Sequence, residues 1–191
     1  MKKIIPSSGD ILQIPLCFNL GFSYAKYINI NKIFKANYPS LIKVYEYWTT
    51  ERNFDLHKID QSSYLLDSIL VAGILPTIKK NLWTNIGNLP LNQNDLSIPK
   101  FKTHEPGWEN EENAKRWIIV EGFDISKKIE TSFEQVRYLD TLGADGSGNI
   151  EIIITMRILI KENIPIDKYF DLSDEGYKYQ YKKIFNRIEK K

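Results

Sequence analysis

A β-strand is predicted by Leu41-Ile42-Lys43-Val44-Tyr45-Glu46-Tyr47-Trp48, because its side chains alternate between two faces. One face would carry Ile42, Val44, Glu46 and Trp48, and the other would carry Leu41, Lys43, Tyr45 and Tyr47. Both faces therefore contain large apolar groups. We expect this strand either to be covered on both sides or to present an aromatic face to a partner.

Further strands are predicted on both sides of this one. Residues 11–16 and 22–30 have strand composition, and Asn19-Leu20-Gly21 between them suits a turn in which Gly21 takes a positive φ. Shorter strands are predicted later in the chain, at residues 82–86, 98–102 and 117–122. The first two-thirds of the chain is therefore predicted to be rich in β-structure.

Helices are predicted mainly in the last third. Residues 132–142 suit a helix capped by Ser132, and residues 173–187 suit an amphipathic helix. Residues 150–160 are ambiguous, since their isoleucines favour a strand. Their length, with Asn149 as a cap and Glu151 in the first turn, favours a helix, which we prefer.

One central segment, residues 60–74, is also ambiguous. Ser62 or Ser63 would cap a short helix, and Ile69-Leu70-Val71 would form a buried strand directly after it. Pro76 is expected to end this element.

Together these patterns predict an α+β protein with a twisted antiparallel sheet, open or barrel-like, followed by a helical C-terminal third. We expect residues 1–191 to form a single domain, since this length is typical of one. Within it, residues 8–122 would form the β-rich core and residues 132–191 the mainly helical segment.

Composition limits the partners and the compartment. The chain has 26 basic and 24 acidic side chains, without the basic excess typical of nucleic-acid binders, so we expect no nucleic-acid partner. A single cysteine cannot form an intrachain disulfide. Pro6-Ser7-Ser8-Gly9-Asp10 interrupts the N-terminal segment before a signal-peptide core develops, and no apolar stretch is long enough to span a membrane. The expected location is the cytoplasm, with no membrane partner.

A catalytic or metal site is not predicted. The only histidines, His57 and His104, lie far in sequence from Cys17, which suits a small buried apolar residue better than a nucleophile. Asp145-Gly146-Ser147-Gly148-Asn149 resembles the start of a calcium loop, but Ile150 and Met156 occupy the positions of its glycine and its bidentate glutamate. We therefore predict a protein that is not an enzyme and needs neither metal nor cofactor.

The remaining candidates for a functional surface are aromatic. Tyr and Trp are frequent anchors in interfaces because they combine an apolar body with a polar tip. We select Tyr45, Tyr47 and Trp48 on the central predicted strand. We add Trp108 because it lies in a polar loop beside Pro106-Gly107.

A series of short motifs resembles the start of the immunity protein 26 family of bacterial polymorphic toxin systems. The motifs are Gly9-Asp10-Ile11-Leu12-Gln13-Ile14-Pro15-Leu16, Gly21-Phe22-Ser23-Tyr24-Ala25-Lys26, Ile42-Lys43-Val44-Tyr45-Glu46-Tyr47, Trp83-Thr84-Asn85-Ile86-Gly87-Asn88-Leu89-Pro90-Leu91 and Pro99-Lys100-Phe101. The resemblance covers about residues 8–122. One departure is Tyr24-Ala25-Lys26, where a Tyr-Gly-Arg run is expected. The resemblance implies a protein that inhibits a cognate toxin by binding it directly, without a cofactor.

The motif residues are predicted to serve the fold, not a site. This applies to Gly9, Asp10, Ile14, Pro15, Trp83, Gly87, Asn88 and Pro90. Gly9 and Asp10 suit a turn into the first strand, and Pro15 suits an edge strand or a strand end because it has no N–H. Gly87-Asn88 and Pro90 are expected to form a turn after the strand of Trp83.

An alternative hypothesis is a nucleic-acid-binding or ribonuclease-like protein with a small N-terminal barrel. It rests on Lys26, Lys32, Lys35 and Lys43, which lie near the aromatic strand. Aromatic stacking combined with phosphate contacts is a workable mode of binding single strands.

Overall fold

The computed structural model describes residues 5–32, 40–104, 116–122 and 128–188. In chain order the elements are β1 (Asp10–Pro15), β2 (Phe22–Asn29), β3 (Ser40–Thr49), α1 (Leu56–Gln61), β4 (Tyr64–Ala72), α2 (Ile74–Lys79), β5 (Thr84–Asn88), β6 (Lys100–His104), β7 (Trp117–Glu121), β8 (Ile129–Thr131), α3 (Phe133–Val136), β9 (Asp140–Thr141), β10 (Ala144–Gly146), α4 (Ser147–Lys161) and α5 (Glu175–Ile188). The α+β class is confirmed.

The strands form two open sheets. The larger has the order β10-β4-β3-β2-β1-β5, and the smaller has the order β8-β7-β6-β9. Neighbouring strands are antiparallel except for β10 beside β4 and β9 beside β6, which are parallel. In the described residues neither sheet closes, so the barrel-like form of the prediction is not adopted.

The three N-terminal strands agree with their predictions within a residue or so at each end, and Gly21 between the first two has the expected positive φ of 119°. The predicted alternation of β3 is also confirmed. Ile42, Val44 and Trp48 pack on one side of the large sheet, and Tyr45 and Tyr47 pack on the other. β3 lies between β2 and β4, and both of its faces are covered by other elements, which include α4 on one side and α1 on the other.

Helices cover one side of the large sheet, which we call the helical face. The helix preferred for residues 150–160 is confirmed as α4. Its buried isoleucines share one core with Leu12, Ile14, Ile42 and Val44 of the sheet, and α5 packs against α4. The strand suggested by the isoleucine content does not form there, because the isoleucines are buried against the large sheet from the apolar side of α4. The single domain stays a prediction, which this shared core supports.

The opposite side of the large sheet, which we call the loop face, is covered by shorter pieces. Ile59 of α1 packs with Ile11, Tyr24 and Tyr45, and Phe101 of the smaller sheet packs with residues of β2, β3 and β4. The segment after β5 crosses the same face, with Leu89 and Leu91 in these clusters. This less regular cover leaves part of the loop face open near the end of β3.

The central segment differs from its prediction. The helix there is α1, which precedes residues 62 and 63, and its cap is Asp55, whose Oδ1 accepts from the backbone N–H groups of His57 and Lys58. Ser62 instead ends the helix, and the predicted strand begins at Tyr64 and reaches Ala72. Pro76 does not end an element. It lies in the first turn of α2, where a backbone N–H is not needed.

The helix predicted over residues 132–142 is wrong beyond its first turn. Only α3 is helical, and the chain then turns so that Asp140 and Thr141 pair with Phe101 and Lys102 of β6. The backbone of Leu142 continues this pairing by donating to the carbonyl of Lys102. A new strand in the smaller sheet replaces the remaining helical turns.

Four of the eight motif residues, Gly9, Asp10, Gly87 and Asn88, lie where the chain approaches itself closely. Gly9 has a φ of 95°, and a Cβ there would meet the carbonyl oxygen of Leu89 at 2.5 Å. Asp10 Oδ1 accepts from Asn88 Nδ2 at 3.0 Å, which fixes β5 beside β1. Gly87 and Asn88 therefore belong to a strand, and the turn predicted for them is wrong. Pro15 is the last residue of β1, as a strand end requires.

Candidate functional site

Aromatic residues that are at least partly exposed gather where β3 ends and the loop to α1 begins. We call Phe22, Tyr47, Arg52 and Phe54 the aromatic rim. Phe54 is 41% exposed although it is large and apolar, and Phe22 and Tyr47 are half-buried beside it on the loop face. The guanidinium carbon of Arg52 lies 5.4 Å from the ring centre of Phe22, a cation–π geometry.

The rim is held on the sheet by Tyr24, which is fully buried beneath it. The Tyr24 ring lies 5.3 Å from that of Tyr47 and 6.2 Å from that of Phe54. Its hydroxyl is hydrogen-bonded to Thr49 Oγ1 at 2.7 Å. Gln13 Nε2 donates to the backbone carbonyl of Arg52 at 3.3 Å, which ties the loop to β1. The rim side chains are therefore attached to a rigid part of the sheet.

The composition of the rim matches that of protein interfaces. Tyr, Phe and Arg are enriched at such surfaces, and exposed apolar groups surrounded by polar ones are typical of binding patches. Glu51 and Asp55 are exposed in the same loop, so charges of both signs surround the aromatic rings. This arrangement can anchor a partner protein.

The four predicted contact residues do not form one surface among the described residues. Tyr47 lies in the rim. Tyr45 is only 2% exposed, and its hydroxyl is buried without a hydrogen-bond partner, so it offers no surface to a partner. Trp48 is half-buried on the helical face, and Trp108 lies outside the described residues. Sequence reasoning missed Phe54, although its polar neighbours Asn53 and Asp55 resemble the setting that selected Trp108.

A buried ion pair lies deeper on the loop face. Lys26 Nζ contacts Asp95 Oδ2 at 2.9 Å, and each residue is about 1% exposed. The hydroxyl of Tyr64 donates to Asp95 Oδ1 at 2.7 Å, and the backbone N–H of Asn92 donates to Oδ2 at 2.9 Å. Lys26 also donates to the carbonyl of Pro90 at 3.2 Å. We call these residues the Asp95 network, and it fastens the segment after β5 to the sheet.

The Asp95 network shifts the ionisation of its members. Burial raises the pKa of Asp95, but hydrogen bonds from Asn92, Tyr64 and Lys26 outweigh it and hold the net pKa below its ordinary value. Burial lowers the pKa of Lys26, and the bond to Asp95 outweighs it, so the net pKa is raised. Burial, followed by the bond to Asp95, raises the pKa of Tyr64. Asp95 and Lys26 are therefore both charged at neutral pH.

The lysines behind the nucleic-acid hypothesis are largely not available for phosphate contacts. Lys43 is also buried, with its Nζ donating to the carbonyl of Asn94 at 2.7 Å and contacting Asp67 at 3.0 Å. Lys26 is enclosed in the Asp95 network. The side chain of residue 32 and all of Lys35 lie outside the described residues. The two lysines that can be located therefore give this alternative no support.

The residues weighed for catalysis lie in different parts of the fold. Cys17 packs on the helical face, where burial raises the pKa of its thiol. His57 is exposed on α1 over the loop face, and the ring of His104 contacts Trp117 in the smaller sheet. Among the described residues, no three His, Cys, Asp or Glu side chains are grouped to hold a metal ion. The described residues also include no helix that is long and apolar enough to cross a bilayer.

Of the comparisons with known proteins, the one with protein families found a match. The family model described as immunity protein 26 matches residues 7–113, which is more than half of the chain. The match contains β1 to β6, the aromatic rim and the Asp95 network. Curated proteins and solved structures gave no match. The extent of the family match shows that this chain belongs to the immunity protein 26 family.

Proposed function

We propose that the protein binds a cognate bacterial toxin and neutralises it by direct contact through the aromatic rim. One observation carries the proposal: on a chain of an immunity family, the rim exposes anchor-type side chains on a rigid support. The toxin would be the product of a neighbouring gene, and neither catalysis nor a cofactor takes part. Tyr47 is the one predicted contact residue that this surface retains, and Phe22, Arg52 and Phe54 extend it.

The physical case rests on how little ordering the rim requires on binding. A few buried aromatic and arginine anchors supply most of the affinity of a typical interface. Tyr47 is already fixed against Tyr24, and the carbonyl of Arg52 is bonded to Gln13. Because these contacts restrict the loop before the partner arrives, less conformational entropy is lost on association.

The test is a pair of assays with the toxin encoded beside the gene. We expect Phe54→Ala and Arg52→Ala each to weaken the complex by about tenfold or more, as interface anchors do. Both variants should also protect cells that express the toxin less well than the wild type does. Ile129→Ala is the matched control, since Ile129 is 54% exposed on β8 of the smaller sheet.

Two outcomes would contradict the proposal. Absence of any complex with the neighbouring toxin would remove the function itself. A full-strength complex with both rim variants would place the contact surface elsewhere, and weakening by the control would point to the smaller sheet. Circular dichroism of each variant separates these results from misfolding.

A further inference from the structure

The turn between β1 and β2, residues 16–21, exposes a large apolar side chain. Phe18 is 50% exposed in this segment, which we call the Phe18 turn. Its ring lies edge-on to that of Phe170, with 4.9 Å between the ring centres, and its centre is 5.7 Å from that of Tyr169. Phe170 is only 1% exposed and belongs to the core of the helical face. The Phe18 ring is therefore supported by this core, and half of the residue still remains exposed.

The backbone of the turn is strained at Phe18. Phe18 and Asn19 have φ angles of 58° and 55°, in the left-handed region. Asparagine is tolerated there, but a bulky residue such as phenylalanine rarely adopts this conformation, because its Cβ comes too close to the following carbonyl oxygen. Glycine or asparagine at position 18 would form the same turn at a lower cost. The turn itself therefore does not require phenylalanine, and strain that the surrounding structure maintains in this way is typical of binding sites.

Three contacts fix the position of the Phe18 turn. The backbone N–H of Leu16 donates to the carbonyl of Gly21 at 2.8 Å, which closes the turn. The backbone N–H of Cys17 donates to Thr155 Oγ1 at 3.0 Å, which fastens the turn to α4. A Cβ on Gly21 would meet the carbonyl oxygen of Thr49 at 2.0 Å, so the turn lies directly against the end of β3. Because the turn is ordered before a partner arrives, little conformational entropy is lost when Phe18 enters an interface.

The Phe18 turn lies beside the aromatic rim. Phe22 of the rim begins β2 directly after the turn and pairs with Thr49 at the end of β3. Phe22 packs on the loop face, whereas Phe170, which supports Phe18, packs on the helical face. The Cα atoms of Phe18 and Phe22 are separated by at most about 14 Å, because a chain of that length extends no further. A standard interface covers about 800 Å² of each partner, a patch roughly 30 Å across, so one partner can contact both residues.

We propose that the cognate toxin straddles this end of the large sheet, with the aromatic rim on one side and Phe18 as a second anchor on the other. This inference rests on the proposed function and extends its contact surface. It requires an apolar pocket on the toxin, which receives the Phe18 ring next to the surface that contacts the rim. Burial of the exposed half of Phe18 adds hydrophobic stabilisation, and aromatic anchors in such pockets supply much of the affinity of an interface.

The test is the affinity of Phe18→Asn and Phe18→Gly for the toxin encoded beside the gene. Both new residues accept a positive φ, so both variants keep the turn and lose only the ring. We expect each variant to weaken the complex by about tenfold or more. Ile129→Asn is the matched control and should bind as the wild type does, since Ile129 is 54% exposed in β8 of the smaller sheet. Circular dichroism identifies a misfolded variant, in which case the other one decides.

The outcomes separate this inference from the proposed function. Weakening by both Phe18 variants, together with weakening by Phe54→Ala, supports the straddling arrangement. Full-strength binding by both Phe18 variants, while Phe54→Ala weakens the complex, overturns the inference and leaves toxin binding through the rim intact. Absence of any complex with the wild type overturns both. Sedimentation of the free chain tests a second copy as the occupant: a dimer that dissociates in both Phe18 variants, with toxin affinity unchanged, also overturns the inference.

Discussion

The Asp95 network and the cavity around Asp145 are built from the same pair of residue types but differ in what surrounds them. Asp95 pairs with Lys26 and also accepts from Tyr64 and Asn92, and both charged residues are almost completely buried. Asp145 pairs with Lys183 beside an open cavity and next to a glutamine oxygen without a partner. One carboxylate is saturated by the protein itself, and the other is not.

This difference separates an ion pair on which the fold depends from one that the fold can lose at little cost. A buried carboxylate that accepts three hydrogen bonds from the protein serves to stabilise the segment that it fastens, here the chain after β5. The Asp145 carboxylate is partly exposed, so water can serve the oxygen that Lys183 does not contact. Substitutions should therefore affect folding strongly in the Asp95 network and only weakly at Asp145.

The largest expected effect is on Asp95. Asp95→Ala leaves Lys26 charged and buried with only the carbonyl of Pro90, so we expect a loss of about 3–5 kcal/mol in the free energy of unfolding. Lys26→Met should cost clearly less, because Asp95 keeps its bonds to Tyr64 and Asn92. Urea denaturation measures both values. Equal losses in the two variants would contradict the expectation that removing Asp95 costs more stability than removing Lys26.

A second effect concerns pH. The folded-state pKa of Asp95 lies below its unfolded value, so its stabilisation is complete above about pH 4 and is lost as pH falls through the folded value. Glu151 acts in the opposite direction, since burial raises its pKa although Trp83 donates to it. We expect the wild type to lose stability on acidification more steeply than Asp95→Ala does. Parallel curves would contradict the role given to Asp95.

The substitution Asp145→Asn should have a smaller effect on folding. Asp145 and Lys183 are partly exposed at the cavity, so we expect a loss of about 1 kcal/mol or less in the free energy of unfolding. A loss as large as that of Asp95→Ala would contradict the distinction between the two regions. Urea denaturation of both variants under one set of conditions gives the comparison.

The substitution Gln180→Met should have an effect of opposite sign. It replaces an unsatisfied buried oxygen with an apolar group of similar shape, so a gain of about 1 kcal/mol is expected. Thermal unfolding measures it. A clear destabilisation would mean that the amide of Gln180 already has the partners it needs.

Local patterns predicted the regular parts of this fold. The composition of β1 and β2, the alternation in β3 and the length of α4 were sufficient, because each of these signals lies in residues that are close together in the sequence. The segment after Ser132 was mispredicted because its partner is β6, about forty residues earlier in the chain. The cap at Asp55 was missed because serines further along offered the same chemistry.

The sites were less accessible from sequence than the fold. Lys26 and Asp95 are 69 residues apart, and Asp145 and Lys183 are 38 apart, so no local spacing indicates either pair. Tyr45 and Tyr47 share one strand face and look equivalent in sequence, yet only Tyr47 reaches the open end of the loop face. The cover provided by α1 and the segment after β5 makes this difference, and it depends on tertiary packing.

The most direct test of toxin binding through the aromatic rim is hydrogen exchange of the chain, free and in complex with the neighbouring toxin. Our account predicts slower exchange in the complex over the start of β2 and over residues 47–55, with β8 unchanged. Protection of the helical face or the smaller sheet, with the rim exchanging as in the free chain, would contradict it.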